Sequence, residues 1–481
     1  MNIGLKNKKV LLLGLGSLGG GLATAKWLLD QGAVLTVTDL KTEAELKPSV
    51  TKLANYAEES IRDADEWDEW KKRPRLAFRL GGHDEEDIRA ADIVVVNPDI
   101  PLNSRYVALA RSLGKRIENE ATLFYGSWHR PTIAVTGTRG KTTTTTWAGH
   151  LLGPRSRPVV AGSSYVRPLL SVADEPQKYS HAATELSSFL LEHFDGRPDI
   201  AIITNLYRDH LNRHRTMKEY AKAKASIFIS QTAAQHLILN HDNAWTPQFL
   251  AMKPRAQVWF TSAVGQDVPQ GLVYQDGKGM LVKAGAWRAV LNLEKVHREQ
   301  GIHNLENALA AALAAHLAGT SWQTIQKRIA TLPQIQYRQE TVHQDRKLTV
   351  INDTTATSPE GAIAAIRRWG GPNCVLICGG TDRELEFGAW ADAVRETLNV
   401  NNMVFLDGSA TRKMRTALGP WGRGIRSYAS LADALDAALA RARKYVQSVV
   451  VFSPGAKSFE LFRNEFDRGQ QFNNFVKIRL G

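Results

Sequence analysis

Short apolar runs recur along the whole chain, and most end in a glycine or a polar cluster. They are VLLL (10–13), ADIVVVNPDIPLNS (91–104), TIAVT (132–136), AATELSSFLLEHF (182–194), DIAIITN (199–205) and HLILNHDN (236–243). Later come KLTVINDTTATS (347–358), NCVLICGGTDRE (373–384), NMVFLDG (402–408) and SVVVFSPGAKSFELF (448–462). Runs that are continuously apolar, rather than alternating, mark strands buried on both faces, as in parallel sheets covered by helices. Between them lie stretches of helical character, among them EYAKAKASIF (219–228) and GIHNLENALAAALAAHLAG (301–319). The repeated strand–loop–helix plan predicts an α/β chain of doubly wound sheets. Residues 255–295 break the plan and read as short β segments joined by turns.

A chain of 481 residues has room for about three domains. The first is expected over residues 1–117, the second over 118–334 and the third over 335–481. In the first, a strand at Val10–Leu13 runs into Gly14-Leu15-Gly16-Ser17-Leu18-Gly19. A helix follows to about Gln31, then a second strand ending at Asp39. This is the G-x-G-x-x-G context of a dinucleotide-type βαβ unit. By itself the pattern suits NAD, but it serves any nucleotide diphosphate as well, with Asp39 reaching a sugar or base. Residues 41–79 read as polar and helical. A short strand near Arg116–Ile117 and a helix lead to the second domain.

That domain opens on PTIAVTGTRGKTTTTTW (131–147). A buried strand enters a turn from Gly137 to Gly140, and Lys141 begins a threonine-rich helix. Such a turn aims backbone N–H groups at one spot, where the helix N-terminus adds partial positive charge. Lys141 adds a full cation, and a following hydroxyl can reach Mg²⁺. The form is the shorter G-x-x-G-K-T, with Val135 six positions before the lysine. A nucleotide triphosphate is the expected ligand. Downstream strands end in Glu185, in Thr204-Asn205 before Asp209-His210, in Asn240 and Asp242, in Asn352-Asp353 and in Gly379-Gly380. The C-terminal ends of strands are where open α/β sheets bind ligands.

Composition and charge add little. The chain is 43% hydrophobic and 23% charged, with 61 Lys+Arg against 48 Asp+Glu and a net charge of +13. The excess suits an anionic small molecule, but no basic block points to nucleic acid. The two cysteines, Cys374 and Cys378, share one face of a predicted strand and read as core thiols of a reducing compartment. No signal peptide or long apolar span is visible, so a cytoplasmic protein without membrane insertion is expected.

Taken in order, VTGTRGKTT (135–143), ELSSFLLE (185–192), TN…DHLNRH (204–214), YAKAK (220–224), HNLENALAA (303–311), YRQE (337–340), IND (351–353) and SPGAKSF…F…RG (453–469) resemble the Mur ligase family over essentially the whole chain. The resemblance implies three domains: a Rossmann-like UDP-binding domain that uses no NAD, a central P-loop ATPase-like domain and a C-terminal Rossmann-like domain. It implies an ADP-forming ligase of peptidoglycan precursor synthesis, using ATP and Mg²⁺ and acting through an acyl phosphate. The substrates implied are UDP-N-acetylmuramoyl-L-alanine and glutamate, and a monomer is expected. The phosphate loop, Gly137, Thr138, Arg139, Gly140, Lys141, Thr142 and Thr143, would hold ATP. Asn304 and Asn307 would flank adenine and ribose, with Arg338 and Asp353 supplied by the third domain. Thr142, Glu185 and Lys224 are the implied Mg²⁺ ligands, Lys224 after carbamylation, with His210 beside them. Lys141, Glu185, His210 and Lys224 form the catalytic set, and Gly16, Ser17, Leu18, Asp39 and Ser164 the UDP-substrate site.

The amino-acid pocket departs from the family. Where the D-glutamate enzymes read N-D-S-K-A-T, this chain has Asn352-Asp353-Thr354-Thr355-Ala356-Thr357. Losing that lysine removes a charge-assisted hydrogen bond to a carboxylate. Lys457 appears instead in a place usually filled by a small residue, followed by Ser458 and Phe459. Glu465 stands where an aromatic is usual, and Ser163-Ser164-Tyr165-Val166 replaces the Gly-Asn-Ile-Gly muramoyl turn. Thr355, Lys457, Ser458 and Phe459 are the expected amino-acid contacts. The rebuilt pocket favours L-glutamate, with D-glutamate the alternative. Parts of the chain also suit a folylpolyglutamate-type ligase, an NAD-dependent oxidoreductase and a non-catalytic nucleotide-binding protein. The first usually lacks a separate UDP-binding domain, and the second leaves the phosphate loop unexplained.

Overall fold

The computed structural model describes residues 4–16, 19–59, 75–153, 156–162 and 167–481. The expected contacts Ser17, Leu18 and Ser164 lie outside the described residues. Among those described, the strands form three sheets. The first is β3-β2-β1-β4-β5, built from β1 (Lys9–Leu13), β2 (Val34–Asp39), β3 (Leu76–Leu80), β4 (Ile93–Val96) and β5 (Arg116–Glu118). All its pairings are parallel, giving the doubly wound order in which the ligand crevice opens beside β1. β3 begins within the stretch read as helical and runs one residue past its end. It is a half-buried edge strand, so its LAFRL carries a weaker apolar signal than VLLL or IVVV.

The second sheet has the order β14-β13-β12-β11-β10-β9-β6-β8-β7. Its strands are β6 (Thr132–Thr136), β7 (Val159–Ala161), β8 (Ala182–Glu185), β9 (Ile200–Ile203), β10 (His236–Asn240), β11 (Gln257–Ser262), β12 (Gly271–Gln275), β13 (Lys278–Lys283) and β14 (Ala286–Asn292). The strands from β7 to β12 pair in parallel, and β12-β13-β14 form an antiparallel meander, which accounts for the irregular 255–295 stretch. The third sheet is β15-β16-β20-β17-β18-β19: β15 (Glu340–Gln344), β16 (Leu348–Asn352), β17 (Cys374–Cys378), β18 (Met403–Leu406), β19 (Ser427–Tyr428) and β20 (Ser448–Phe452). β15 pairs antiparallel at one edge, and the other pairings are parallel. The first two sheets belong to one compact unit, Met1–Leu332, and the third to another, Pro333–Gly481.

The helix Lys141–Leu151 carries four consecutive buried threonines, Thr142 to Thr145. β-Branched residues are indifferent helix formers, so tertiary packing sustains this helix. It lies against the helix Ile302–Leu317, whose buried alanines, including Ala308, Ala311 and Ala315, let the two backbones approach. Cys374 and Cys378 are buried, free, and on the same side of β17, as core thiols. Among the described residues no helix is long and apolar enough to cross a membrane.

Candidate active site

The phosphate loop links β6 to the helix Lys141–Leu151. Its two glycines are sterically fixed. A Cβ on Gly137 would lie 1.9 Å from Thr204 Oγ1, and one on Gly140 would lie 2.2 Å from Asn307 Oδ1. Gly140 also has φ +79°, which disfavours any side chain there. Neighbouring strand ends hold the turn. Thr138 N–H donates to Asn205 O at 3.0 Å, Arg139 N–H to Asn205 Oδ1 at 2.9 Å, and Thr204 Oγ1 to Arg139 O at 2.6 Å. Thr144 Oγ1 donates to Asn307 Oδ1 at 3.1 Å, and Asn307 Nδ2 donates to Asn304 Oδ1 at 3.2 Å. Asn307 is therefore buried against the loop, with Asn304 bonded to it and half-buried.

Glu185 closes β8. Thr142 Oγ1 donates to its Oε2 at 2.8 Å, so a hydroxyl and a carboxylate converge at the start of the loop helix. Hard oxygen donors of this kind fit Mg²⁺, which keeps its other positions for water and phosphate oxygens. Lys224 comes from the helix Met217–Ile229 and is 1% exposed. Its Nζ donates to Gly137 O at 2.8 Å and lies 4.7 Å from the Tyr220 ring centroid. Burial, and then the cation of Lys141, push the Lys224 ammonium well below the usual lysine range. Lys141, half-buried, donates to Thr138 O at 3.2 Å.

His210 sits at φ +54°, with its Nε2 3.7 Å from Asp209 Oδ2, while Arg139 Nη1 approaches the same oxygen at 3.3 Å. The ring of Phe189 packs edge-on to His210 at 5.0 Å between centroids. Below it, His214 stacks on Tyr220 at 5.0 Å and bonds Ser188 Oγ at 3.0 Å. Burial, with Lys224 and Arg213 nearby, drives His214 down to about 4, so it is neutral at pH 7. Thr143 is buried in the helix behind the loop.

On the first sheet, Asp39 does not face outward toward a sugar. Its Oδ2 accepts from the N–H groups of Leu15 (2.9 Å) and Gly16 (3.0 Å), and its Oδ1 from Lys41 N–H (2.9 Å). It braces the glycine turn through these N–H groups.

The second unit gathers its own set. Asp353 follows β16, 5% exposed, with Ser453 Oγ donating to Oδ2 at 2.7 Å and Gln339 N–H to Oδ1 at 3.1 Å. Burial raises its carboxyl to about 7, opposed by those bonds and by Arg338 and Arg368. Arg338 stands in a turn flanked by Tyr337 (φ +64°) and Gln339 (φ +47°), an unfavourable backbone for non-glycine residues. Thr355 pins that turn: its Oγ1 donates to Tyr337 O at 2.8 Å, so its hydroxyl is committed to backbone. Lys457 Nζ donates to Thr357 Oγ1 at 3.2 Å. Ser458 Oγ is buried and, among the described residues, has no hydrogen-bond partner. Phe459 is half-exposed under the guanidinium of Arg383, 4.9 Å from its ring centroid.

Arg383 escaped the sequence reading, and Arg468, part of the RG pair of the 453–469 motif, was given no role there. Arg383 stands three residues after Gly380, past the end of β17, where only its strand-end location signals a role. Arg468 is fully buried. It donates to Thr354 Oγ1 (2.9 Å), Thr354 O (2.7 Å), Ala456 O (3.2 Å) and Lys457 O (3.2 Å). No period or spacing marks an arginine for burial.

Residues 135–315 match the Mur ligase middle domain. Over 98% of its length the chain is 35% identical to the UDP-N-acetylmuramoylalanine--D-glutamate ligase of Roseiflexus sp. (strain RS-1), covering 99% of that protein. The chain belongs to the Mur ligase family. The enzyme of the same name from Clostridioides difficile (strain 630) is 31% identical, over 98% of this chain and 99% of its own. Among solved structures, UDP-N-acetylmuramate-alanine ligase from Thermotoga maritima superposes with a TM-score of 0.55 at 17% identity, covering 98% and 99% of the two chains. MurF from Acinetobacter baumannii gives 0.57 at 14% identity, covering 98% and 92%. These two likenesses speak to fold, the three-domain Mur ligase arrangement. Mur ligases are ATP-dependent and in general require Mg²⁺. The loop, Lys141 and the Thr142–Glu185 pair are the groups of this Mur ligase suited to them.

Proposed function

We propose that this Mur ligase joins glutamate to UDP-N-acetylmuramoyl-L-alanine with ATP cleavage to ADP and phosphate. The names of its full-length relatives support the substrate pair. The observation that carries the chemistry is the convergence of Lys141, Thr142, Glu185 and Lys224 on the phosphate loop. A carboxylate oxygen of the alanyl residue attacks the γ-phosphorus of ATP, and the bond to ADP breaks. The glutamate amine then attacks the acyl-phosphate carbon, loses a proton, and the C–O bond to phosphate breaks. Two anions must meet in the first step. Lys141 and the loop N–H groups offset that charge as it spreads over the transferring oxygens. Thr142 and Glu185 would hold Mg²⁺, which would supply further charge neutralisation.

Carbamylation of Lys224 is part of this proposal. Burial disfavours the charged form of Lys224, the uncharged amine is the nucleophile CO₂ addition needs, and the product is an oxygen donor. Arg338 and Asp353, Asn304 and Asn307 are assigned to the nucleotide, and Gly16 to the UDP substrate. The domains are assigned as 1–117, 118–334 and 335–481. A monomer acting in the cytoplasm fits small nucleotide substrates.

For the incoming amino acid we assign Lys457, Ser458 and Phe459, with Arg383 added and Thr355 acting through the Tyr337 carbonyl. With Thr355 committed to backbone, the cations near this site come from another direction, and this favours L-glutamate. The D-glutamate reading is favoured by the names of the relatives. Phosphate release with UDP-N-acetylmuramoyl-L-alanine and each enantiomer separates them: turnover with D-glutamate alone removes the L-glutamate reading, and turnover with neither removes the proposed substrate pair.

A further inference from the structure

The glycine turn of the first sheet and the His210 loop of the second sheet are tied by one side chain. Arg213 is one residue before the end of the short helix Leu211–His214, whose cap is His210. Its Nε and Nη2 grip the Glu192 carboxylate at 2.9 and 2.7 Å. The remaining donors cross to the turn after β4, Nη1 to Asp99 O at 3.0 Å and Nη2 to Ile100 O at 2.8 Å. The guanidinium and carboxylate are 10% and 7% exposed, so the pair is shielded from water and its geometry is restrictive.

The turn that Arg213 holds is itself fastened to the glycine loop. Asn97 Nδ2 donates to Gly14 O at 3.1 Å, Asn97 Oδ1 accepts from Asp99 N–H at 3.1 Å, and Asn97 O accepts from Ile100 N–H at 2.9 Å. On the other side, the N–H of Arg213 donates to His210 O at 2.9 Å. An unbroken set of hydrogen bonds thus joins Gly14, Asn97, Asp99, Ile100, Arg213 and His210.

We propose that Arg213 is a positioning residue that couples occupancy of the first-sheet nucleotide site to the setting of the His210 loop beside the phosphate loop. The proposal rests on the reading above that the first sheet takes a uridine-nucleotide substrate. A ligand that orders the Gly14 turn fixes the Asp99 and Ile100 carbonyls, and only a planar fork with several donors can hold both carbonyls and Glu192 together. Arg213 touches neither substrate in this scheme.

The test is the mutual effect of the two ligands on binding. Affinities for UDP-N-acetylmuramoyl-L-alanine and for a non-hydrolysable ATP analogue are measured by calorimetry, singly and together, in wild type, Arg213→Lys, Arg213→Met and Glu192→Gln. In wild type each ligand tightens the other by the same factor, on the order of 5–150-fold. In Arg213→Met that factor falls to near one while each ligand alone binds within about threefold of wild type, and kcat falls more than KM rises. Arg213→Lys and Glu192→Gln, which keep the packing, fall between, and they carry the test if the methionine variant does not fold. Full mutual tightening in the lysine and glutamine variants overturns the proposal. If wild type releases no phosphate with this nucleotide, the assigned substrate fails; the coupling is then read with UDP and the ATP analogue, where unchanged tightening in the variants overturns it independently.

Discussion

Lys141 and Lys224 carry the same side chain into opposite environments within one site. Lys141 is half-buried at a helix start, where its Nζ donates to Thr138 O and where the proposal places the phosphate oxygens. Removing it as Lys141→Ala is expected to cost about 3–4 kcal/mol of transition-state stabilisation, roughly a hundred- to thousandfold in kcat. Lys224 is enclosed by Tyr220 and the loop backbone, and its ammonium is disfavoured there. Enzyme stripped of CO₂ is therefore expected to lose activity and regain it on adding bicarbonate, and intact-mass analysis should show the added CO₂ on Lys224. Activity indifferent to bicarbonate, with an unmodified lysine, would count against the carbamate. Asp353 gives a third expectation. Folded, it holds its proton to about pH 7; unfolded, only to about 3.9. Between these values the folded state binds more protons, so its contribution to stability falls as pH rises from about 4 to 7 and is flat above. The slope is at most about 1.4 kcal/mol per pH unit. Asp353→Asn cannot ionise, and urea unfolding at pH 5 and pH 8 should show a smaller decline in that variant than in wild type.

At the level of elements, the phosphate loop was readable because its constraints are local: strand, glycines, lysine and hydroxyl are adjacent in the chain. The Asn307 contact that forbids a Cβ on Gly140 comes from a helix more than 160 residues away and was not readable from spacing. Gly140→Ala tests both at once. It places a methyl on Asn307 Oδ1 and forces φ +79° on a residue that avoids it, so the loop must shift. Nucleotide affinity is expected to drop at least tenfold, with stability falling by about 1 kcal/mol or more; unaltered ATP binding by calorimetry would show the loop is not the nucleotide site. The buried strands were legible from continuous apolar runs, whereas β3 was not, since an edge position asks less of its side chains. Lys224 and Arg468 show the same limit from the other side. A lysine on a helix reads as solvated and no periodicity marks Arg468 for burial, and only three-dimensional enclosure by other segments makes them core residues. Asp39 was correctly found at the end of β2, but its orientation onto the Leu15 and Gly16 N–H groups depends on the fold of the turn.

Across the whole molecule, the phosphate loop, Glu185 and Lys224 all fall within Met1–Leu332, and the amino-acid groups within Pro333–Gly481. Two compact units with separate cores are expected to give two transitions in calorimetry rather than one. With ATP bound to the first unit through the loop, as proposed, it should move that unit's transition. At a free concentration a hundred times Kd the stabilisation is about 2.7 kcal/mol, which for a unit of this size raises Tm by several degrees. Glutamate added without nucleotides should leave that transition in place, because its assigned contacts, Lys457, Ser458 and Arg383, lie in the other unit. Lys141→Ala should abolish most of the ATP shift while leaving both ligand-free transitions where they are, since a half-exposed lysine contributes little to packing. A single cooperative transition shifted equally by either ligand would mean that the units unfold as one. An ATP shift that survives in Lys141→Ala would place the triphosphate away from the loop.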